Sequence, residues 1–280
     1  MKRIMQWAMA AALIISGAVM FSACSKSDDN DGDNPAPAKK KYRLVQRKDV
    51  YDNSDAYYIT DYAYDKQGRL ISYVRTGYNV TDIVARCTYT YGDHYIIENH
   101  GDYSYYFTLN DDGLIIKHEC IGTEDGEETT TPYFGFDYAD GRVIKYEELR
   151  NYKLVKFQWE NDDLMSHSLE DVEYTSNSTY YTYSEQSVDH GFTNPILSTM
   201  SEGLFLMGYY GKPSKHLESH RKSELNAGTA YTTIENDYTY TIADGHIVEI
   251  VDNTSWVMKM GSIESASSKK TTTTLTYEEY

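Results

Sequence analysis

Residues 62–73 read YAYDKQGRLISY, and this stretch decides the fold. Two tyrosines alternate with a small residue, an aspartate and a glycine follow, and the stretch ends in an aliphatic run. Aspartate and glycine tolerate the positive φ angles of tight turns, and alternating aromatic and branched residues favour strands. The stretch therefore predicts one antiparallel β-hairpin.

The same unit recurs along the chain. Clear copies are FTLNDDGLIIK at 107–117, FDYADGRVIKY at 136–146 and YTYTIADGHIVE at 238–249, and weaker copies are YTYGDHYII at 89–97 and FQWENDDLM at 157–165. One hairpin cannot bury its own apolar face, so neighbouring hairpins must pair. We expect an antiparallel meander of roughly twelve to sixteen strands, and a sheet of that width curls to remove its exposed edges. The predicted fold class is all-β, with the meander curled into a barrel-like sheet.

One segment breaks this pattern, NPILSTMSEGLFLMGYYGKP at 194–213. Asn194 suits a helix cap, Pro195 suits the first helical position, and the later glycines can stop a helix. Apolar residues lie nearly all round such a helix, and exposing them would create a patch unusual for a soluble monomer. We predict one short apolar helix, from Pro195 to about Tyr210, as a plug or cap of the barrel with Phe205 in the core.

The first residues predict export. Lys2 and Arg3 precede a short apolar run at 8–21, and small residues precede Cys24. Such a run is too short for a spanning helix and is typical of a signal peptide, here residues 1–23. The ending FSAC resembles the lipobox of bacterial lipoproteins, although Phe21 stands where leucine is usual. The resemblance implies lipidation of Cys24 and attachment to a membrane through that lipid, with three acyl chains where one alone holds marginally.

The next residues predict a disordered tether. Residues 24–41 hold the lipid-attachment cysteine and a polar, Pro/Ala-containing stretch with almost nothing to bury. Ser27-Asp28-Asp29 resembles the surface-export signal of Bacteroidota lipoproteins, which implies the outer membrane, on its periplasmic or its external face. Asp29, Asp31 and Asp33 mimic part of a calcium loop, but the bidentate glutamate at its end is missing. Residues 42–280 are then expected to form a single barrel-like domain.

Composition excludes some functions. The formal net charge is −17, and removing Lys2 and Arg3 with the leader gives −17 − 2 = −19. A chain this acidic is unsuited to nucleic acid, whose phosphates need lysine and arginine. The 29 tyrosines against 7 phenylalanines favour pleated, half-buried β structure. Strand faces such as YTTIEN at 231–236 lack the continuous apolar band of a membrane barrel, so we expect the barrel to stand in water.

No motif predicts catalysis or a cofactor. His216 and His220 flank Glu218 in HLESH, but the zinc-protease pattern needs glutamate directly beside the first histidine. A phosphate-binding loop and a nucleophile elbow are both missing from the sequence, so we expect no enzyme, no cofactor and no metal site. Cys87 and Cys120 each adjoin a predicted strand, and either a disulfide or two separate small core residues fits them.

The tyrosine clusters are the clearest hint of binding. They lie at 57–58, 103–106 and 180–183. Exposed tyrosine offers a rigid amphipathic surface for sugar rings or peptides, whereas cross-strand ladders would explain the same clusters structurally. Two hypotheses follow: a non-catalytic envelope module that binds glycan or protein, or a structural or assembly component without a small ligand.

Two family resemblances accompany these patterns. The unit YDKQGRL resembles the tyrosine-aspartate repeats of Rhs-type shell proteins. The leader, the Asp-rich tether, the hairpin units and GYYGKPSKHL at 208–217 together resemble an uncharacterised Bacteroidota lipoprotein family, a domain of unknown function with a porin-like fold. That resemblance implies a barrel, and it implies no activity and no functional residues.

Overall fold

The computed structural model describes residues 41–52, 54–80, 84–124, 127–148, 153–170, 175–187 and 200–280. The predicted leader, the lipidation site Cys24 and almost all of the tether lie outside these residues. Sixteen strands and one helix fall within them: β1 (Tyr42–Tyr51), β2 (Tyr57–Tyr64), β3 (Leu70–Tyr78), β4 (Val84–Tyr91), β5 (Tyr95–Asn99), β6 (Ser104–Leu109), β7 (Ile115–Glu124), β8 (Glu127–Ala139), β9 (Arg142–Glu148), β10 (Lys153–Glu160), β11 (Asp163–Glu170), β12 (Thr175–Tyr183), α1 (Glu202–Leu206), β13 (Glu218–Ala227), β14 (Ala230–Ala243), β15 (His246–Met260) and β16 (Ile263–Glu279).

The strands form a closed antiparallel barrel. Each strand pairs with its neighbours in sequence, and β1 pairs with β16 from Tyr42 opposite Glu279 onward. The predicted all-β meander is therefore confirmed, with closure and a strand number at the top of the expected range. The turns of the recurring units, the start of β1 and the end of β16 all lie at one end, which we call the plug end. The opposite end is the mouth.

Turn chemistry explains the hairpins. Asp140-Gly141 and Asp244-Gly245 are two-residue turns in which both residues have positive φ, between 51° and 79°. Asn161-Asp162 makes the same turn with φ of 50° and 73°. These backbone angles match the twist of the flanking strands, so the sequence-based interpretation of these segments as hairpins is correct.

A β-bulge explains the aliphatic run that ends each unit. Just after the turn, five strands carry one extra residue against their partner. In β3 the first aliphatic residue, Leu70, is fully buried, whereas Ile71 sits at the bulge and faces outward, 39% exposed. The same arrangement, an inward-facing residue followed by a bulge residue, occurs at Ile115-Ile116, Val143-Ile144, Leu164-Met165 and Ile247-Val248. Two adjacent aliphatic residues thus serve opposite faces because the bulge interrupts strict alternation.

An aromatic belt runs round the plug end. Six even-numbered strands carry a tyrosine or a tryptophan that bonds to the preceding odd-numbered strand. The tyrosine hydroxyl or the tryptophan indole N–H donates a hydrogen bond to a backbone carbonyl of that strand, at 2.6–2.8 Å. The pairs are Tyr64–Leu44, Tyr91–Leu70, Tyr138–Ile115, Trp159–Val143, Tyr183–Leu164 and Tyr240–Glu218. Phenylalanine could not make these bonds, so the belt accounts for part of the tyrosine excess.

Residues 200–217, which we call the plug, fill the barrel at this end. Leu204 is fully buried, and Ser201 caps the short helix α1 by accepting from the Leu204 amide. Contacts of the plug run from β1 to β12 round the wall, through Arg47, Tyr62, Leu70, Tyr89, Glu98, Ile115, Gly141, Asp162, Leu164 and Tyr183. Within the described residues, no helix is both long and apolar enough to cross a membrane.

The predicted helix is correct only in its centre. Residues 195–199 lie outside the described residues, and α1 ends at Leu206 rather than near Tyr210. Gly208 has φ of +80°, which ends the helix, and Gly211 at +88° pairs with Arg142 in an isolated bridge. A Cβ atom on Gly211 would lie 2.3 Å from the Gly141 carbonyl oxygen, so the chain beyond α1 follows the wall closely instead of continuing as a helix.

Candidate functional site

Charged side chains line the barrel interior beneath the N-terminus of α1. Arg47 Nε lies 2.8 Å from Asp49 Oδ1, and an Arg47 guanidinium nitrogen lies 3.1 Å from Glu202 of α1. Thr273 of β16 donates to Asp49 at 2.7 Å, and Tyr62 of β2 donates to Glu202 at 2.6 Å. Burial and then the Glu202 carboxylate raise the pKa of Tyr62, so this hydroxyl stays a donor at neutral pH. These bonds fix α1 to the wall.

A second polar group consists of Cys87 on β4, Glu98 on β5 and His100 directly after β5, and we call it the Cys–Glu–His cluster. The antiparallel register places Tyr89 opposite Glu98 and Thr88 opposite Asn99, so Cys87 falls opposite His100. One ligand atom from each cluster residue lies within 4.8 Å of the others, and His100 Nε2 is 2.7 Å from Glu98 Oε1. Burial, followed by the nearby Glu98 carboxylate, raises the pKa of the Cys87 thiol. In the absence of a cation this thiol is therefore protonated at neutral pH.

The Cys–Glu–His cluster is joined to the plug. The Ser201 hydroxyl donates to the second carboxylate oxygen of Glu98, and it lies 3.4 Å from the Tyr89 hydroxyl. Ser201 also caps α1. One serine thus links the end of the helix to the cluster on the wall.

Aromatic rings lead from the cluster to the mouth. Tyr103, 42% exposed, stacks on His100 with ring centroids 4.9 Å apart, and Tyr105 meets the same imidazole edge-on at 5.6 Å. Tyr105 in turn contacts His118 at 4.6 Å. Burial lowers the pKa of His118 to about 4, so His118 is neutral at physiological pH. The rings form a continuous path from solvent to the buried interior.

Inward-facing side chains are more exposed near the mouth than near the plug. Alternation places Phe107 and Tyr103 on the inner face of one strand and its turn, yet Phe107 is fully buried whereas Tyr103 is exposed. On β3, Leu70 is fully buried while Arg75, nearer the mouth, is partly exposed. A barrel of sixteen strands has more interior than its own side chains fill. The plug fills that space at one end, whereas among the described residues Tyr103 and Arg75, nearer the mouth, remain partly exposed.

The HLESH residues do not form one site. His216 pairs with Asp163 at 2.7 Å, Glu218 with Arg221 at 2.8 Å and His220 with Asp237 at 2.8 Å. Residues two apart on a regular strand share a face, but a bulge interrupts β13 between Glu218 and His220, so these two side chains do not point the same way. The three residues therefore belong to three separate side-chain pairs, and His216 helps to anchor the plug.

Both described cysteines are free. Cys87 lies on β4 and Cys120 on β7, three strands apart, which corresponds to about 14 Å. Of the two interpretations left open, the structure therefore supports two separate cysteines, of which Cys87 is a core residue and Cys120 is half-buried.

Most of the clustered tyrosines are used in packing. Tyr57 stacks on Tyr78 across the β2–β3 pair at 4.7 Å, Tyr181 is buried and bonded to His167, and Tyr183 belongs to the aromatic belt. The cross-strand ladder explains these rings. Tyr103 differs because it lies at the mouth, next to the polar interior.

Glu98 and His100 are the site residues that the sequence did not reveal. They lie in YIIENHG, where nothing resembles a ligand motif, and their partner Cys87 belongs to another strand. The only signal was the turn at 92–94, from which the cross-strand pairing of Cys87 with His100 can be counted.

Comparisons with known proteins agree on the fold. A family model described as "Domain of unknown function (DUF4595) with porin-like fold" matches residues 62–249. The chain is similar to a porin-like protein from Bacteroides uniformis ATCC 8492 (TM-score 0.60, 15% identity, 84% of this chain and 98% of that chain). It is also similar to one from Bacteroides vulgatus ATCC 8482 (TM-score 0.52, 14% identity, with the same coverage). Among curated proteins none matches the sequence. These likenesses concern the porin-like barrel, not tyrosine-aspartate repeats.

Proposed function

The chain belongs to the DUF4595 family of domains with a porin-like fold, and from that premise we propose that it is a non-catalytic lipoprotein of the bacterial cell envelope that binds a glycan in the open half of its barrel. Lipid on Cys24 would hold it to the outer membrane. The observation that carries the proposal is a lumen filled by the plug at one end, with the inward-facing side chains Tyr103 and Arg75 partly exposed near the mouth.

The plug favours retention of a ligand over passage. It contacts the wall from β1 round to β12, and Leu204, Tyr210 and Leu217 within it are buried. Contacts along so much of the described wall narrow the lumen at the plug end, where a porin of comparable strand number holds an aqueous channel. A lumen with one open end is instead a concave site of the kind that holds small ligands.

The residues near the mouth suit a sugar. Tyr51 and Tyr58 meet edge to face at 5.9 Å, and Arg75 lies over the Tyr58 ring at 4.8 Å. Tyrosine rings can pack on the apolar face of a sugar while charged groups bond its hydroxyls. The formal charge of −17 disfavours a polyanionic chain, so we propose a neutral glycan.

The proposed attachment point favours a barrel whose mouth faces away from the membrane. Tyr42 begins β1 at the plug end, and only the 17 residues 25–41 separate it from Cys24. Lipid on Cys24 would therefore hold the plug end near the membrane and leave the mouth free. A water-facing barrel is consistent with the polar residues on its outer strand faces.

The Cys–Glu–His cluster supports a non-catalytic role. A nucleophilic cysteine acts as a thiolate and must reach its substrate. Cys87 is 1% exposed, and its thiol pKa is raised, so neither condition is met.

A glycan array probed with the full chain carrying Cys24→Ala tests the proposal, followed by calorimetric titration of the retained sugars. We expect Tyr58→Ala and Tyr103→Ala each to weaken binding about tenfold, the equivalent of about 1.4 kcal/mol. Tyr180→Ala is the matched control, because Tyr180 is 49% exposed and points away from the lumen.

Two results would contradict the proposal. One is the absence of any retained glycan, and the other is binding that the mouth variants leave unchanged. Recovery of an envelope protein under those conditions would favour the alternative, a structural or assembly component.

A further inference from the structure

We propose that Cys87, Glu98 and His100 form a zinc-binding site inside the barrel. The inference is independent of glycan binding, since its three ligands lie on β4, on β5 and directly after β5, and no sugar contact is needed to hold them.

The first step is geometry. In a tetrahedral zinc site, with bonds of about 2.0 Å to nitrogen and oxygen and 2.3 Å to sulfur, ligand atoms lie about 3.3–3.5 Å apart. The three donor atoms already lie within 4.8 Å of one another, and Glu98 Oε1 and His100 Nε2 are 2.7 Å apart. Zinc would replace that hydrogen bond by moving the two atoms apart by about 0.6–0.8 Å, a shift that side-chain rotation can supply.

The second step is donor chemistry. A thiolate, an imidazole and a carboxylate form a mixed set that zinc accepts, whereas calcium and magnesium require oxygen donors. The Cys87 thiolate and the Glu98 carboxylate together carry two negative charges, which a divalent cation neutralises. Because the two side chains are almost completely buried, this neutralisation has a larger effect than it would at the surface.

The third step is the surroundings. The second Glu98 oxygen accepts from Ser201, so the carboxylate is oriented by the N-cap of α1. Outer partners of this kind are what hold metal ligands in place. His100 retains some exposure beneath the Tyr103 ring, which gives an ion a route from the mouth. Three protein ligands leave the fourth position to water.

Cobalt titration of the full chain carrying Cys24→Ala tests the site. A cobalt–thiolate bond gives a charge-transfer absorption band in the near ultraviolet, and we expect this band to saturate at one ion per chain. Zinc should then displace cobalt and abolish the band. We also expect zinc to raise the thermal midpoint, because binding favours the folded state.

The variants separate this site from other thiols. Cys87→Ser should abolish the band and His100→Gln should weaken cobalt binding at least tenfold, whereas the matched control Cys120→Ser should retain both band and affinity. His100→Gln keeps the test valid if Cys87→Ser fails to fold, since His100 is partly exposed. Absence of the band in the parent chain would overturn the proposal, as would loss of the band in Cys120→Ser with full affinity in His100→Gln.

Discussion

Truncation of Leu204 tests whether the plug is part of the core. Leu204 is fully buried in the hydrophobic cluster inside the barrel. Leu204→Ala removes three carbon groups, worth about 0.8 kcal/mol each, and a cavity penalty adds to that sum. We expect the free energy of unfolding to fall by about 3–4 kcal/mol. Urea denaturation at 25 °C, followed by circular dichroism, measures it.

The cavity penalty should be large because the site cannot collapse easily. A Cβ atom on the adjacent Gly203 would lie 2.3 Å from the Tyr89 hydroxyl oxygen and 2.7 Å from a Leu70 methyl carbon, which shows how closely α1 approaches the wall. Met258→Ala is the control: its side chain is 44% exposed near the mouth, and we expect a change within about 0.5 kcal/mol. A loss below about 1 kcal/mol for Leu204→Ala would show that the plug is not integral to the core.

Three further predictions concern the aromatic belt, the buried histidine His167 and the lipid anchor. Tyr138→Phe should cost about 1 kcal/mol in urea denaturation, because its carbonyl acceptor loses a donor, whereas the exposed control Tyr180→Phe should not; equal losses would contradict the belt. Burial, and then the charge of Arg221, lowers the pKa of His167 to about 4. Between about pH 6.5 and pH 4 the unfolded chain therefore binds more protons than the folded chain, so the free energy of unfolding falls as the pH drops through this range. His167→Gln should therefore lose about 2 kcal/mol less than the parent chain between pH 7 and 4.5; identical pH profiles would exclude this contribution. Cys24→Ala should move the protein from the detergent phase to the aqueous phase, and continued detergent partitioning would refute the lipid anchor.

Local chemistry made much of the fold predictable. The Asp-Gly and Asn-Asp turns need positive φ, and this requirement identified the hairpins without any knowledge of their partners. Closure followed from the cost of leaving edges exposed, although the strand number could only be bounded. The bulges were less visible, because two adjacent aliphatic residues fit a buried strand as well as a bulged one.

The plug and the Cys–Glu–His cluster depend on tertiary structure. Apolar periodicity predicted a helix through Tyr210, but the positive φ of Gly208 and the bridge at Gly211 are set by contact with the wall. Phe205 was expected in the core, yet it is only half-buried while Leu204 is fully enclosed. The Cys87–His100 juxtaposition requires the register of two strands, which no single stretch of sequence encodes.

The aromatic belt also bears on how such barrels could change in size. At the plug end most even-numbered strands are joined to the next strand by a turn and to the preceding strand by a ring hydrogen bond, as Tyr91 of β4 shows with Leu70 of β3. Insertion or deletion of two strands preserves this alternation, whereas a change of one would leave two turns or two ring bonds side by side. Duplication or loss of whole hairpins would therefore widen or narrow the barrel in steps of two strands, without a change in the hydrogen-bonding pattern at the plug end. The lumen diameter would then change in evolution while the turns and ring hydrogen bonds at the plug end stay the same.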